Sequence, residues 1–180
     1  MKLKYDKSVL VIVDVQTKLL NVMHDYPVLI ENLKKLVRGV QTLGVPIILT
    51  EQYPVGLGGT ADELRALLNG IQPIQKMAFS CCAEDNFLTE LRRHNREQVI
   101  VCGIEAHICV YQTCRDLLDR KYEVHLVTDG IASRQPENKN LVVTKLQGAG
   151  VYLTSVEMAL FEMLKDAHNE HFKAIAKIIK

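Results

Sequence analysis

Hydrophobic residues along the chain follow two patterns, short continuous runs and longer stretches with helical spacing. The continuous runs are rich in β-branched residues, which is typical of strands buried on both faces. Such runs occur at 8–13, 45–50 and 99–102, and shorter or mixed stretches at 72–76, 122–127 and 151–154 complete six predicted strands. Helical spacing occurs between them, at 27–43, 61–68, 83–94, from 106 onward, and at 136–148, 155–164 and 168–179. The alternation predicts an α/β protein with a three-layer αβα arrangement, in which helices cover both faces of a six-stranded parallel sheet.

Length and composition are those of an ordinary globular protein. A chain of 180 residues suits one domain, and no linker divides it, so we predict a single domain over residues 1–180. With 22 basic and 21 acidic residues the net charge is +1, which argues against a general electrostatic nucleic-acid binder. The apolar runs are too short to cross a bilayer. The predicted partner is therefore a small molecule, and neither nucleic acid nor a membrane is expected.

Cysteine usage bears on the compartment in which the protein works. The chain has five cysteines, an odd number, without a C-x-x-C pair, and its first residues do not resemble a secretory signal. We therefore expect free thiols, a reducing environment and a cytoplasmic location. The first strand is not followed by a G-x-G-x-x-G turn, and no Walker A motif occurs, so no nucleotide cofactor is predicted.

One cysteine lies where a strand gives way to a helix. The run at 99–102 is interrupted by Gly103, and helical spacing begins at Ala106, so Cys109 falls in the first turn of the helix. Unpaired backbone N–H groups and the helix dipole favour a thiolate at this position. Two interpretations follow from this stretch alone. Cys109 is either a nucleophile or one more buried core cysteine, the commoner state of a free cysteine.

Two further polar residues fall at strand ends on the same edge of the predicted sheet. Asp14 follows the first strand and Lys76 the third, and ligands of such folds bind at this edge. A carboxylate there can accept the Cys109 proton, and an ammonium group can stabilise the thiolate. Backbone N–H groups of Glu105 and Cys109 can hold an oxyanion, which suits acyl transfer. Taken singly, Asp14 is equally well explained as a helix cap or a satisfied carboxylate, and Lys76 as a solvated charge.

The motifs that carry these residues resemble those of a known family. They read Val-Ile-Val-Asp-Val-Gln at 11–16, Lys-Met-Ala-Phe-Ser at 76–80 and Cys-Gly-Ile-Glu-Ala-His-Ile-Cys-Val at 102–110. In this order they resemble the isochorismatase-like cysteine hydrolase superfamily over nearly the whole chain. The loop Thr-Glu-Gln-Tyr-Pro at 50–54 is most similar to the isochorismatase domain-containing subgroup.

The resemblance implies a Rossmann-like, isochorismatase-type hydrolase fold and a catalytic triad of Asp14, Lys76 and Cys109. It also implies a non-proline cis peptide between Ile104 and Glu105, which would aim the Glu105 N–H at the substrate oxygen. Members of the superfamily are usually oligomeric, so a homo-oligomer, either a dimer or a tetramer, is expected.

Departures from the family narrow the expected activity. Nicotinamidases of the superfamily bind a metal through an aspartate and histidines just after the second strand. Here residues 51–54 contain no histidine, so neither a metal site nor nicotinamidase activity is expected. Isochorismatase proper lacks the cysteine, so its reaction is not implied either. The expected activity is metal-independent cleavage of a small-molecule amide or related C–N bond through a thioester.

Other side chains near the motifs are candidates for lining a substrate pocket. They are Gln16, Tyr53, Phe79, His107 and Tyr111. A lone histidine such as His107 is more often structural, and Asp14 rather than His107 is the expected base. Two other functions stay open: a scaffold or regulatory protein that retains the hydrolase fold with little or no turnover, and an enzyme acting on nucleic acid. The near-zero net charge speaks against the latter.

Overall fold

A computed structural model describes residues 2–180 and has a six-stranded sheet at its centre. The strands are β1 (Ser8–Val13), β2 (Ile47–Gln52), β3 (Ile74–Lys76), β4 (Gln98–Ile104), β5 (Glu123–Ala132) and β6 (Tyr152–Thr154). Their order is β3-β2-β1-β4-β5-β6, and each pair of neighbours is parallel. The predicted α/β class and parallel sheet are confirmed. With β1 and β4 at the centre, the chain reverses its direction of winding there, which is where such sheets form sites.

Helices connect the strands and cover the sheet. They are α1 (Thr17–Leu20), α2 (Tyr26–Thr42), α3 (Pro54–Leu57), α4 (Asp62–Arg65), α5 (Asp85–Arg93), α6 (Tyr111–Asp119), α7 (Pro136–Gly148), α8 (Val156–Leu164) and α9 (Phe172–Ile179). A 3₁₀ turn occupies 81–83, and a π-helical turn occupies 106–110. Within residues 2–180, no helix combines the length and the apolar character that crossing a membrane requires.

Two hydrophobic cores lie on opposite faces of the sheet. Alternate residues of β1 divide between them, since Leu10 and Ile12 join one core while Val9, Val11 and Val13 join the other. Helices α2, α8 and α9 contribute to the first core, and α5, α6 and α7 to the second. The three-layer αβα arrangement is thereby confirmed.

Strands β4 and β5 are longer than their sequences predict. A turn is predicted at residues 128–130, but β5 continues to Ala132 after an irregularity in its pairing with β4. The turn-forming side chains are occupied elsewhere, because Thr128 donates to the Thr154 carbonyl and Asp129 caps the Val156 N–H at the start of α8. Pairing with the neighbouring strand outweighs the local preference for a turn.

Gly103 lies inside β4 rather than terminating it. Its φ is +122°, and a Cβ there would collide with the backbone of Val13 on β1. Glycine is therefore required by the close approach of the two central strands. This approach brings the end of β1 against the turn that follows β4.

Several short elements also depart from the periodicity. Helix α4 has four residues instead of the predicted 61–68, and α9 begins at Phe172 instead of 168. Helices α1 and α3, also of four residues, are too short to produce a periodic signal. The first residues of the predicted third strand, 72–73, stay outside β3 because Pro73 has no N–H to donate to a neighbouring strand.

Candidate active site

Asp14, Lys76 and Cys109 come together at the carboxyl edge of the sheet. Asp14 directly follows β1, Lys76 is the last residue of β3, and Cys109 lies in the π-helical turn after β4. All three are buried, with 0%, 3% and 7% of their surfaces exposed. The structure thus brings together three residues that are spread over 95 positions of the chain, from Asp14 to Cys109.

A buried ion pair joins two of these residues. The Nζ atom of Lys76 lies 2.5 Å from Oδ2 of Asp14. The same ammonium group donates to Oε1 of Gln52 at 2.8 Å and to the carbonyls of Ala78 and Phe79 at 3.1 Å each. Burial by itself lowers the pKa of Lys76, but its attraction to anionic partners, chiefly Asp14, outweighs this and raises the pKa. Lys76 is therefore a fixed cation.

Asp14 has a left-handed backbone conformation and a carboxyl group whose pKa is raised. Its φ is +52°, and its Oδ1 accepts a hydrogen bond of 2.8 Å from the Thr50 hydroxyl. Burial raises the pKa of the Asp14 carboxyl, and the interactions with Lys76, Thr50 and Cys109 only partly offset that effect. A carboxylate with a raised pKa is a stronger base than an exposed aspartate.

The Cys109 thiol lies beside the Asp14 carboxylate, and the interaction changes the pKa of both groups. Burial, followed by the charge of Asp14, raises the pKa of Cys109 to about 12, while Lys76 acts in the opposite direction. Cys109 is therefore a neutral thiol in this state. Loss of solvent and the adjacent carboxylate thus outweigh the favourable effect predicted for the helix start. Chemistry at this sulfur requires a base.

The turn that carries Cys109 is wider than an α-helix. The Glu105 carbonyl accepts from the N–H groups of Ile108, at 3.1 Å, and Val110, at 3.2 Å, and the second of these bonds spans five residues. The amide of Cys109 lies between these two donors in the sequence. The peptide bond between Ile104 and Glu105 is cis. The use of the Glu105 and Cys109 amides as an oxyanion site stays a prediction.

Gln16 is buried and bound to backbone rather than open to a ligand. Its Oε1 accepts from the Gln52 N–H at 2.7 Å, while its Nε2 donates to the carbonyls of Gln52, at 3.0 Å, and Gly58, at 2.6 Å. Both hydrogens of the amide are used in this way. Gln16 therefore fastens the end of β2 to the loop that follows, and its predicted contact with substrate stays a prediction.

Tyr53 and Phe79 flank the lysine with half-exposed rings. The Tyr53 N–H donates to the Lys76 carbonyl at 3.0 Å, and the Phe79 carbonyl accepts from the Lys76 ammonium. A cavity of about 340 Å³ reaches Lys76 between Tyr53, Val55 and Met77. Gln75 and Glu84 also line this cavity.

His107 and Tyr111 make their contacts on the side of α7. Nδ1 of His107 is 2.9 Å from the Ser133 hydroxyl, and Nζ of Lys145 lies 5.1 Å from the centre of the Tyr111 ring. Nearby, the carboxylate of Glu105 forms an ion pair with Nε of Arg134 at 2.6 Å. No hydrogen bond or ion pair links His107 or Tyr111 to Asp14 or Lys76.

Two residues of β2 that the sequence did not single out contact Asp14 and Lys76 directly. Thr50 binds Asp14, and Gln52 binds Lys76. Both belong to one face of the strand because side chains alternate along it. The signal that could have found them is a pair of polar residues two positions apart at the end of a buried strand.

Glu51, which lies between Thr50 and Gln52 on β2, also has hydrogen-bond partners of its own. Oε1 of Glu51 accepts from both the N–H and the hydroxyl of Thr60, each at 2.7 Å. Across residues 2–180, no group of three His, Cys, Asp or Glu side chains is arranged to hold a metal ion.

Comparison with known proteins identifies the family. The isochorismatase domain matches residues 8–158. This chain belongs to the isochorismatase family. The resemblance drawn from the three sequence motifs is thereby confirmed.

Relatives of this isochorismatase-family chain occur in several eukaryotes. "Secreted isochorismatase effector Isc1" of Phytophthora sojae is 37% identical over 182 residues, covering 96% of this chain and 84% of that protein. "Isochorismatase domain-containing protein 2" of Danio rerio is 37% identical over 172 residues, covering 96% and 86%. The solved structure of a "MAR1 Ribonuclease" from Caenorhabditis elegans superposes with a TM-score of 0.94 at 32% identity, covering 99% of this chain and 92% of that one.

Proposed function

We propose that this protein is a metal-independent cysteine hydrolase that cleaves a small-molecule amide or related C–N bond through a thioester. Asp14, Lys76 and Cys109 would form the catalytic triad, without a cofactor. The observation that carries the proposal is the buried Asp14–Lys76 ion pair beside the Cys109 thiol. A nucleophile, a base and a fixed cation in contact are the parts that acyl transfer to a thiol requires.

The first half of the proposed reaction forms the thioester. Asp14 takes the proton of the neutral Cys109 thiol while the sulfur attacks the carbonyl carbon of the substrate. Negative charge moves to the carbonyl oxygen, where the N–H groups of Glu105 and Cys109 would bind it. The C–N bond then breaks, and the leaving amine takes the proton from Asp14. Lys76 compensates the charge that appears when the thiol gives up its proton.

The second half returns the enzyme to its starting state. Asp14 removes a proton from water, the hydroxide attacks the thioester carbon, and the same two N–H groups would hold the oxyanion again. Collapse breaks the C–S bond and releases a carboxylic acid. The proton on Asp14 returns to the Cys109 sulfur, so both steps balance without a metal or a redox partner.

A screen of small amides, with release of ammonia or amine as the readout, tests this proposal. The wild-type protein should hydrolyse at least one substrate class, and Cys109→Ala should lose about 10³-fold or more in kcat/KM. Intact-mass spectrometry after rapid quenching should show an acyl adduct on Cys109. The buried Cys102→Ala serves as the matched cysteine control. Undiminished turnover by Cys109→Ala would contradict the mechanism, and a silent screen accompanied by a reproducible protein partner would favour the scaffold alternative.

A second candidate function is hydrolysis of RNA, favoured by the name of the Caenorhabditis elegans protein of similar structure. A net charge of +1 provides little general attraction for a polyanion, so this reaction would depend on local contacts. A labelled RNA incubated with the purified protein distinguishes the two functions. Cleavage that disappears in both Cys109→Ala and Asp14→Asn would support the ribonuclease, whereas cleavage that survives in these variants indicates a contaminating nuclease.

We also propose that the protein is a cytoplasmic homo-oligomer, either a dimer or a tetramer. Five free thiols suit a reducing compartment, although the relative from Phytophthora sojae is named as secreted. Exposed apolar side chains near the site suit an interface, since Val55, Met77 and Phe79 are 89%, 68% and 54% exposed. Light scattering after size-exclusion chromatography should give two or four times the 20.3 kDa chain mass. A monomer would contradict this proposal.

A further inference from the structure

Strand β2 separates the two strands whose ends carry Asp14 and Lys76. In the order β3-β2-β1, Asp14 follows β1 and Lys76 ends β3, so their ion pair passes across the end of β2. Two side chains of β2 form hydrogen bonds with the ion pair. Thr50 donates to Oδ1 of Asp14, and Gln52 accepts from Nζ of Lys76. Each member of the ion pair thus has its own support on the middle strand.

Gln52 is itself fastened at four points. Its Oε1 accepts from Lys76 at 2.8 Å, and its Nε2 donates to the Met77 carbonyl at 2.8 Å. Its backbone N–H and carbonyl are both bound by the Gln16 side chain, at 2.7 Å and 3.0 Å. The Gln52 backbone is therefore held at the end of β2, and the Met77 carbonyl orients its side-chain amide.

The other neutral acceptors of Lys76 are held differently. The carbonyls of Ala78 and Phe79 belong to the loop that follows β3, and the Phe79 side chain is 54% exposed. Gln52 is on the sheet, beside β3 in register with Lys76. A lysine head on a flexible four-carbon stem is located best by an acceptor on a rigid element.

We propose that Gln52 is a positioning residue whose amide oxygen directs the Lys76 ammonium towards Asp14 and Cys109. Its importance for catalysis rests on the proposed function, whereas the contact between Gln52 and Lys76 does not. A neutral amide suits this role because it supplies an acceptor without adding charge. A carboxylate at residue 52 would compete with Asp14 for the ammonium and place a second negative charge near the thiol.

The test measures the reactivity of the thiol, which needs no substrate. Alkylation of Cys109 by iodoacetamide is followed by peptide mass spectrometry between pH 7 and 9.5 in the wild type and in Gln52→Met. A displaced lysine favours the thiolate less, so the rate profile should move by about one pH unit to the alkaline side. At pH 8 that displacement is a rate about tenfold lower. Gln41→Met is the matched control, since Gln41 also donates to a carbonyl, that of Leu67, but lies on α2.

Three results would overturn the proposal. The profile of Gln52→Met superimposes on that of the wild type, or Gln41→Met slows alkylation equally, or Gln52→Met slows it further in a Lys76→Met background. A further effect in the Lys76→Met background would contradict the proposal because a residue that acts only through Lys76 has no ammonium group left to position. If Lys76→Met does not fold, the comparison of Gln52→Met with Gln41→Met still decides.

The outcome is independent of the hydrolase proposal. If the protein hydrolyses no amide but shows the shifted profile, the proposed function is refuted and the positioning role of Gln52 is supported. If the protein hydrolyses amides but the Gln52→Met profile is unshifted, only the positioning role is refuted.

Discussion

Nζ of Lys76 lies 2.5 Å from Oδ2 of Asp14, and both side chains are completely removed from solvent. An ion pair of this kind is costly to break, because the remaining charge stays buried without its partner. Lys76→Met should therefore lower the free energy of unfolding by about 3–5 kcal/mol. The double variant Asp14→Asn, Lys76→Met should recover part of that loss, since no unpaired charge remains. Urea unfolding followed by far-UV circular dichroism measures both, as the chain has no tryptophan. Equal stabilities of the single and double variants would count against the pair.

The pKa of Cys109, raised to about 12, predicts an alkylation profile unlike that of an exposed thiol. The rate with iodoacetamide should rise about tenfold per pH unit from pH 7 to 9.5 without a plateau, because the thiolate fraction grows throughout this range. Glutathione, measured in parallel, should begin to level off near the pKa of a free thiol. A plateau for Cys109 near neutral pH would show that the thiolate is stabilised after all.

Removing the charge of Asp14 should separate reactivity from turnover. The carboxylate raises the pKa of Cys109, so Asp14→Asn should lower that pKa and make alkylation at pH 8 faster. Hydrolysis of any amide substrate should nevertheless fall by about 10³-fold or more, because the base is lost. Parallel alkylation and turnover assays on the same preparation check both effects. Slower alkylation in Asp14→Asn would mean that the aspartate activates the thiol even towards an alkylating agent.

His125 should make the folded state sensitive to acid. Its ring is 2% exposed and stacks on Tyr152 at 5.0 Å, and burial lowers its pKa from 6.5 to about 4. Between these values the unfolded chain binds a proton that the folded chain excludes. Stability contributed by neutral His125 is therefore present above pH 6.5 and falls as the pH drops towards 4, by about 3 kcal/mol in total.

The variant His125→Phe removes the titrating group while keeping an aromatic ring beside Tyr152. Its unfolding free energy should depend less on pH between 4 and 6.5 than that of the wild type. His168→Gln is the control substitution, since the His168 side chain is fully exposed. Denaturant midpoints at several pH values give the comparison, and parallel curves for wild type and His125→Phe would refute the assignment.

Gly103 tolerates no side chain. Gly103→Ala combines a φ of +122° with a collision against the Val13 backbone, and should cost about 3 kcal/mol or more. Gly44→Ala is the matched control, because Gly44 also has a positive φ, +67°, but open space around its Cβ position. Strain alone should then cost about 1–2 kcal/mol. Thermal unfolding of the two variants separates the steric contribution, and equal losses would indicate that β1 and β4 separate readily.

The fold and the meeting of Asp14, Lys76 and Cys109 at one edge of the sheet were accessible from the sequence for one reason. Buried parallel strands are written as continuous apolar runs such as 8–13, and their carboxyl ends meet at one edge. A polar residue directly after such a run, as Asp14 is, is thereby placed even without coordinates, and Lys76 ends a short strand at the same edge. The lengths of β4 and β5 were not accessible, because pairing between strands overrides local turn preferences at Gly103 and Asp129.

The sequence by itself determined which chemical groups meet at the edge of the sheet. The tertiary structure decided what state those groups are in. Burial and the Asp14 charge keep Cys109 protonated, a result that depends on distance and solvent exclusion rather than on position along a helix. It also decided that Gln16 and Gln52 form part of the support of Lys76, because side-chain hydrogen bonds between three strand ends leave no periodic trace in the chain.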